Sequence, residues 1–91
     1  DAFAVGAVRA IRDSGRKVPD DVMVVTRYDG LRARTCEPPL TAVDLHLDRA
    51  ASDAVELLLG RLRGDTATPS VAVSPRPRVI PRASSVRAAR P

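Results

Sequence analysis

The sequence of 91 residues carries a formal net charge of +4, and only 2% of its residues are aromatic. A chain of this length buries roughly 60 to 65% of its unfolded surface, so Ala, Val and Leu must supply a thin core. A single Cys36 and a single His46 exclude an internal disulfide and a structural zinc site, and no apolar run reaches the roughly 18 to 20 residues of a membrane span. We therefore expect a soluble, intracellular protein without a cofactor.

The first predicted element is a helix from Asp1 to Ser14, which Gly15 ends. Its apolar residues recur at helical spacing and should face the core: Phe3, Ala7, Val8, Ala10 and Ile11. Because Asp1 stands at the N-cap position with no element leading into the helix, we expect a chain that is truncated at the front.

Two short strands should follow the helix. The run from Val22 to Val25 is continuously apolar, which is typical of a strand covered on both faces. Pro38 and Pro39 favour an extended approach to a second strand from Thr41 to Leu45. A helix, a short loop and a buried strand in this order predict an α/β fold.

A second helix is predicted from Asp48 to Arg63, with Asp48 as its N-cap and Gly64 at its C-terminal end. One face of this helix is apolar, and it consists of Ala51, Ala54, Val55, Leu58, Leu59 and Leu62. We expect that face to need a sheet that this chain does not supply. The isolated chain should therefore be marginally stable or self-associate.

The last third of the chain predicts two short strands and a tail. Val71 to Val73 form one strand, and Val79 with Ile80 form another, which the neighbouring prolines confine to a sheet edge or a crossover. Ser84 to Pro91 should be frayed. Its arginines could contact phosphates, but the absence of interleaved aromatics and of a recognition helix favours a solvated tail.

A charged and aromatic cluster, Arg27, Tyr28 and Asp29, follows the first strand, where α/β sheets bind small molecules. The Asp29 carboxylate can accept two hydrogen bonds from the hydroxyls of a sugar or from a purine-like ring. The Arg27 guanidinium suits a carboxylate or a phosphate. The alternatives are a turn at Asp29 and Gly30, and a salt bridge from Arg27 to Asp29 or Asp1.

The chain resembles the C-terminal part of LacI/GalR-type transcriptional regulators over residues 1 to 85. The matching segments, in the family's order, are Asp1 with AFAVGAVRAIRDSG, then VPDDVMVV, PPLTAV, AVELLLGRLRG and RVIPRASS. The resemblance implies a partial periplasmic-binding-protein-like, Rossmann-like sensor of two α/β lobes whose cleft binds an effector. Residues 1–43 and 75–85 would belong to the C-terminal lobe and residues 44–74 to the N-terminal lobe, with a disordered basic tail at 86–91.

The resemblance also implies ligand contacts. Where the family has glycine, an aromatic residue and aspartate, an ungapped alignment places Tyr28 at the ligand aspartate, and a shift of one residue restores Asp29. Asp1 matches an aspartate beside the cleft, although an ordinary N-cap is the alternative. Leu47, beside His46, lies where the chain would cross between the lobes.

A dimer surface is implied on the first helix and on the loop after the first strand. The corresponding positions are Val5, Val8, Arg9, Leu31, Thr35 and Cys36. For Val5 and Val8 the alternative is a place in the core. Two-fold dimers suit palindromic operators.

The sequence thus predicts the effector-sensing and dimerising fragment of a cytoplasmic LacI-type regulator. It would answer to a sugar or a nucleobase-like effector, form a homodimer, and reach operator DNA through a helix-turn-helix headpiece that this chain lacks. The rival is a fragment of a sugar-binding protein of a transport system, which an upstream signal peptide would favour. No Ser, His and acid set and no glycine-rich phosphate loop occurs, so we predict no enzyme.

Overall fold

The computed structural model describes residues 2–65 and 71–87. The elements, in chain order, are α1 (Ala2–Asp13), β1 (Val25–Thr26), α2 (Leu31–Thr35), β2 (Thr41–Asp44), α3 (Leu47–Leu62) and β3 (Arg78–Ile80). The chain forms two compact units. The first unit combines Asp1–Leu45 with Arg78–Pro91, and the second is His46–Pro77. No helix of the described ranges is long and apolar enough to cross a membrane.

The first unit contains a sheet with the strand order β1-β2-β3. β1 runs parallel to β2, with Val25 opposite Thr41, and α2 lies between them in the chain. β3 runs antiparallel to β2, with Asp44 opposite Arg78. β3 is therefore an edge strand, as its neighbouring prolines predicted.

The core of the first unit is small, in keeping with the scarcity of aromatic residues. It gathers side chains from α1, α2, β2 and the residues just before β1 and β2: Val8, Val24, Ala33, Leu40 and Ala42. Partly buried side chains pack around this cluster: Ala4, Ile11, Val18 and Cys36.

α1 turns a different face toward the core than its spacing predicted. Val8 is only 3% exposed and Ile11 packs beside it, whereas Phe3 is 95% exposed. Ala7 and Ala10 are exposed as well, so the prediction was wrong at three of its five positions. The reason is that apolar residues occur on more than one side of α1, and helical spacing alone does not choose between two overlapping stripes.

The first strand also differs from its prediction. β1 comprises only Val25 and Thr26, and burial alternates along this segment. Val24 and Thr26 are buried, while Met23 and Val25 are 44% and 55% exposed. The expectation of a strand covered on both faces was wrong within this chain, because the described residues cover only one face of the sheet there.

Ser84 fastens the residues after β3 to the two parallel strands. Its side chain is fully buried. The hydroxyl donates to the Val24 carbonyl and accepts a hydrogen bond from the Thr41 backbone N–H at 2.8 Å. Its own backbone N–H donates to the Pro39 carbonyl and its carbonyl accepts from the Val24 N–H, both at 3.0 Å. We call this set of bonds the Ser84 clamp.

The predicted frayed tail is wrong at its beginning, because Ser84 is part of the clamp and the Ser85 hydroxyl contacts the Thr41 hydroxyl. In the predicted basic tail, Arg87 donates from Nε to the Pro19 carbonyl at 3.1 Å. Residues 88–91 lie outside the described ranges. The last residues of a chain are usually poorly ordered unless other segments hold them, and no local pattern in this segment indicates such contacts.

The second unit is built on α3, whose start differs by one residue from its prediction. His46, not Asp48, occupies the N-cap position, and its backbone is left-handed (φ 53°, ψ 46°). Asp48 lies in the first turn, where a negative charge is favourable. Gly64, with φ of 71°, follows the helix as predicted.

The apolar face of α3 is largely exposed within the second unit. Val55, Leu58 and Leu62 are 56%, 59% and 74% exposed. This agrees with the expectation that the helix needs a covering sheet that the chain does not provide. The brief strand predicted at 71–73 is wrong, since these residues are exposed and form no strand.

Candidate ligand site at the end of the first strand

Asp29 is held by two arginines that come from different parts of the first unit. Arg82 Nη2 lies 2.7 Å from Asp29 Oδ1, and Arg34 Nη2 lies 3.2 Å from Asp29 Oδ2. Arg82 also donates from Nη1 to the Leu40 carbonyl at 2.9 Å. The side chains of Asp29 and Arg82 are 11% and 18% exposed, and that of Arg34 is 60% exposed. Asp29 thereby joins the loop after β1 to the segment after β3.

The two guanidinium groups keep the pKa of the Asp29 carboxyl below its ordinary value of 3.8. The hydrogen bond from Arg34 lowers this pKa most, burial opposes the change, and the hydrogen bond and charge of Arg82 lower it further. The carboxylate is therefore ionised at neutral pH. Most of its acceptor capacity is already used within the chain.

Arg27 and Tyr28 are placed differently from Asp29. Both side chains are exposed, Tyr28 to 44%. Among residues 2–65 and 71–87, no side-chain hydrogen bond or ion pair involves the Arg27 guanidinium. The alternative in which Arg27 forms a salt bridge with Asp29 is therefore wrong, because Arg34 and Arg82 pair with Asp29 instead.

Gly30 does not form the turn that the Asp-Gly pair suggested. Its backbone is extended (φ −96°, ψ −179°), and it is the N-cap of α2, a short helix that the sequence had not predicted. The five residues of α2, which include Arg34, fill part of what was expected to be a polar loop. α2 thus brings the Arg34 guanidinium back to Asp29.

The remaining ligand candidates do not join this cluster in the described part of the chain. Leu47 belongs to the second unit, where it is the first residue of α3 and is 45% exposed. Beside it, His46 Nε2 lies 2.9 Å from the Arg76 carbonyl oxygen within the same unit. Asp1 lies outside the described residues, so its predicted ligand contact stays a prediction.

The candidate dimer positions fall into exposed and covered groups. The exposed residues are Arg9, Thr35 and Leu31, which is 75% exposed. Val8 is in the core, which is the alternative that the sequence left open for it. Val5 is half-buried, and Cys36 is half-buried and packs against the core.

Three residues matter here that sequence reasoning had not assigned to a site. Arg34 and Arg82 hold Asp29, and Phe3 adds an exposed aromatic ring to α1, a helix that contacts α2. The sequence did not single out Arg82, because Arg76, Arg78 and Arg87 lie in the same segment. A buried charge needs a partner, but no local pattern shows which of these arginines has one.

Comparison with known proteins defines the family of this chain. The family model described as a periplasmic binding protein-like domain matches residues 1–85. The HTH-type transcriptional regulator CelR of Thermobifida fusca is 38% identical over 69 residues, which are 76% of this chain and 20% of that protein. The chain spans about a fifth of the length of the curated relatives that it matches.

Solved structures have the same fold. A complex of the transcriptional regulator CelR with cellobiose superposes with a TM-score of 0.83 at 34% identity, and covers 91% of this chain and 25% of that one. The lac repressor dimer bound to operator and an anti-inducer superposes with a TM-score of 0.78 at 26% identity, covering 96% and 30%. The chain therefore belongs to the periplasmic binding protein-like family, among its LacI/GalR-type regulators. The resemblance and the partial sensor fold expected from the sequence are confirmed.

Proposed function

We propose that this chain is the effector-sensing and dimerising part of a cytoplasmic bacterial transcription regulator that responds to a small ligand such as a sugar. The observation that carries the proposal is the match of residues 1–85 to the sensor family, whose relatives here are transcription regulators. The cellobiose bound to one relative supports a sugar as effector. Operator DNA would be contacted by a headpiece outside this chain, as the operator-bound relative suggests.

The division of the chain supports an assignment to two lobes. We assign the first unit to the C-terminal lobe and the second unit to the N-terminal lobe. The unit boundaries follow Leu45 and precede Arg78, close to the boundaries inferred from the sequence. A ligand that contacts both lobes would favour one relative orientation of them, and would thereby shift the population of dimers that bind DNA.

We place the dimer surface on the exposed sides of α1 and α2. Phe3 and Leu31 are 95% and 75% exposed there, and Arg9 and Thr35 are exposed nearby. Large apolar side chains exposed to solvent are typical of surfaces that bind other protein. The lac repressor relative is itself a dimer, which supports dimerisation of the proposed regulator.

Catalysis is not part of the proposal. The relatives are transcription regulators, and this does not favour a transport protein or an enzyme. The groups of the candidate site are an occupied carboxylate, a guanidinium and a phenol, which are suited to binding.

The decisive experiment uses the full-length protein that contains this chain. DNA fragments that it retains from a genomic pool would be identified, and its affinity for them measured by fluorescence anisotropy with and without a panel of sugars. We expect specific DNA binding that changes at least several-fold with one compound. An exported protein with a cleaved leader that ignores DNA would instead support the transport alternative.

A further inference from the structure

The carboxylate at the end of β1 has little capacity left for a ligand. Asp29 Oδ1 accepts from Arg82 at 2.7 Å and from Arg34 Nε at 3.5 Å, and Oδ2 accepts from Arg34 Nη2 at 3.2 Å. Of roughly four acceptor positions on a carboxylate, three are therefore directed at arginines of the same chain. A neutral sugar, whose hydroxyls seek a carboxylate acceptor, would have to displace one of these contacts.

The two groups that remain available at this edge can both donate hydrogen bonds. Arg27 follows directly after β1 and is exposed, and its guanidinium has no hydrogen-bonding or ionic partner within the described ranges. Tyr28 is 44% exposed and carries a phenolic hydroxyl. Residues 27–35 contain three arginines and one aspartate, a net charge of +2 (3 − 1). The carboxyl ends of the parallel pair β1 and β2 lie at this edge, where α/β sheets bind ligands.

We infer that the effector carries an oxyanion, a carboxylate or a phosphate, which the Arg27 guanidinium binds with the Tyr28 hydroxyl beside it. The inference rests on the proposed function, because it names the ligand class of that sensor. A guanidinium presents paired N–H donors that match two oxygens of such a group. A neutral ligand that covered Arg27 would remove water from its guanidinium without supplying a partner, which is unfavourable.

The test compares each neutral sugar with its own charged derivatives, using the full-length protein. Glucose, galactose and mannose would be titrated beside their 6-phosphates and their uronates by calorimetry. We expect at least one charged compound to bind about 10- to 100-fold more tightly than its neutral parent, as a charge-assisted pair contributes. Tighter binding of the 6-phosphate indicates a phosphate on the effector, and tighter binding of the uronate indicates a carboxylate.

Variants identify the residue that selects the charge. Arg27→Gln should reduce the preference for the charged compound to within a few-fold of the neutral sugar, and Tyr28→Phe should reduce it partly. Arg32→Gln removes the same charge from an exposed position on α2 and should leave the preference unchanged. Retention of the preference in Arg27→Gln would overturn the inference.

The outcomes separate this inference from the proposed function. If a neutral sugar changes DNA affinity and its charged derivatives bind no more tightly, or not at all, the proposed sensor stands and the oxyanion is overturned. If the full-length protein binds no DNA while a charged sugar still binds at Arg27, the proposed function fails and the ligand class stands.

Discussion

Arg82 connects three segments of the first unit through one side chain. It donates to the Asp29 carboxylate in the loop after β1 and to the Leu40 carbonyl before β2, while its own backbone follows β3. Arg34 approaches the same carboxylate from the solvent side, with 60% of its side chain exposed. Although the hydrogen bond from Arg34 lowers the pKa of Asp29 most, water screens this exposed pair, and Arg82 is more buried and has a second acceptor. Arg82 should therefore contribute more to stability than Arg34.

Replacing Arg82 by Met should lower the free energy of unfolding by about 1 to 3 kcal/mol, because it leaves a carboxylate and a carbonyl without their shared donor. Arg34→Met should lower it by only about 0.2 to 1 kcal/mol, as for exposed ion pairs. Urea unfolding of the full-length protein, followed by circular dichroism, measures both changes. Equal losses in the two variants would contradict the unequal roles.

The lowered pKa of Asp29 predicts how stability depends on acid. Its folded pKa lies below the ordinary value of 3.8, so the unfolded chain takes up a proton there first as the pH falls. The stabilisation is therefore complete above the unfolded pKa and is lost as the pH falls through the folded pKa. Asp29→Asn should show a smaller loss of stability between about pH 5 and pH 2. Asp20→Asn, at an exposed aspartate, is the matched control and should lose stability in acid as the wild type does. Identical acid profiles for the wild type and Asp29→Asn would contradict a stabilising role of the Asp29 carboxylate.

At this scale the sequence predicted which residues gather at the end of β1 but not their roles. Arg27, Tyr28 and Asp29 do follow the strand, as the apolar run before them indicated. Arg82, which forms the more buried ion pair with Asp29, lies 53 residues away in the chain. A local pattern contains no information about such a contact, since it depends on the register in which β3 pairs with β2.

Among the elements, α3 begins in an unusual way. His46 adopts a left-handed backbone conformation at the N-cap, and its ring is hydrogen-bonded to the Arg76 carbonyl oxygen. A non-glycine residue is strained in this region, and glycine is not. The ring and the backbone therefore make separable contributions at one position.

Two substitutions at His46 isolate the backbone contribution. Both His46→Gly and His46→Ala remove the ring, but only alanine is strained in the left-handed conformation. We expect His46→Ala to be less stable than His46→Gly by about 1 kcal/mol. Thermal unfolding of the two full-length variants, side by side, provides the measurement. An alanine variant at least as stable as the glycine variant would show that the position is not left-handed in solution.

The elements themselves were predicted with uneven success, for identifiable reasons. α3 and its end at Gly64 were predictable because a long apolar stripe and a glycine are strong local signals. α2 was missed, since its five residues are too few to show a helical period. β1 was predicted too long, because a continuous apolar run does not reveal that only one face is covered in this chain.

On the scale of the whole chain, each unit leaves large apolar side chains exposed to solvent. In the first unit Phe3 and Leu31 are 95% and 75% exposed, and in the second unit Leu58 and Leu62 are 59% and 74% exposed. Apolar surface of this kind marks places where other protein surface binds. In a sensor of which this chain is a part, the remaining segments would cover α3.

The 91-residue chain by itself should therefore self-associate or unfold without a sharp transition. Replacing Leu58 and Leu62 together by Glu should lower its average mass in sedimentation velocity, because charged groups resist burial between copies. Replacing Arg61 and Arg63 by Gln changes the net charge equally and should leave the mass unaltered. A dilute monomer with a sharp two-state thermal transition would refute this expectation.

The Ser84 clamp also bears on the order in which the protein is made. Val24 and Thr41 bond to a serine that the ribosome adds only after it has completed the second unit, 43 residues after Thr41. At roughly 5 to 20 residues per second, that interval lasts about 2 to 9 seconds. During this interval β1 and β2 lack their buried partner, so of the two units the one whose synthesis starts earlier is completed later.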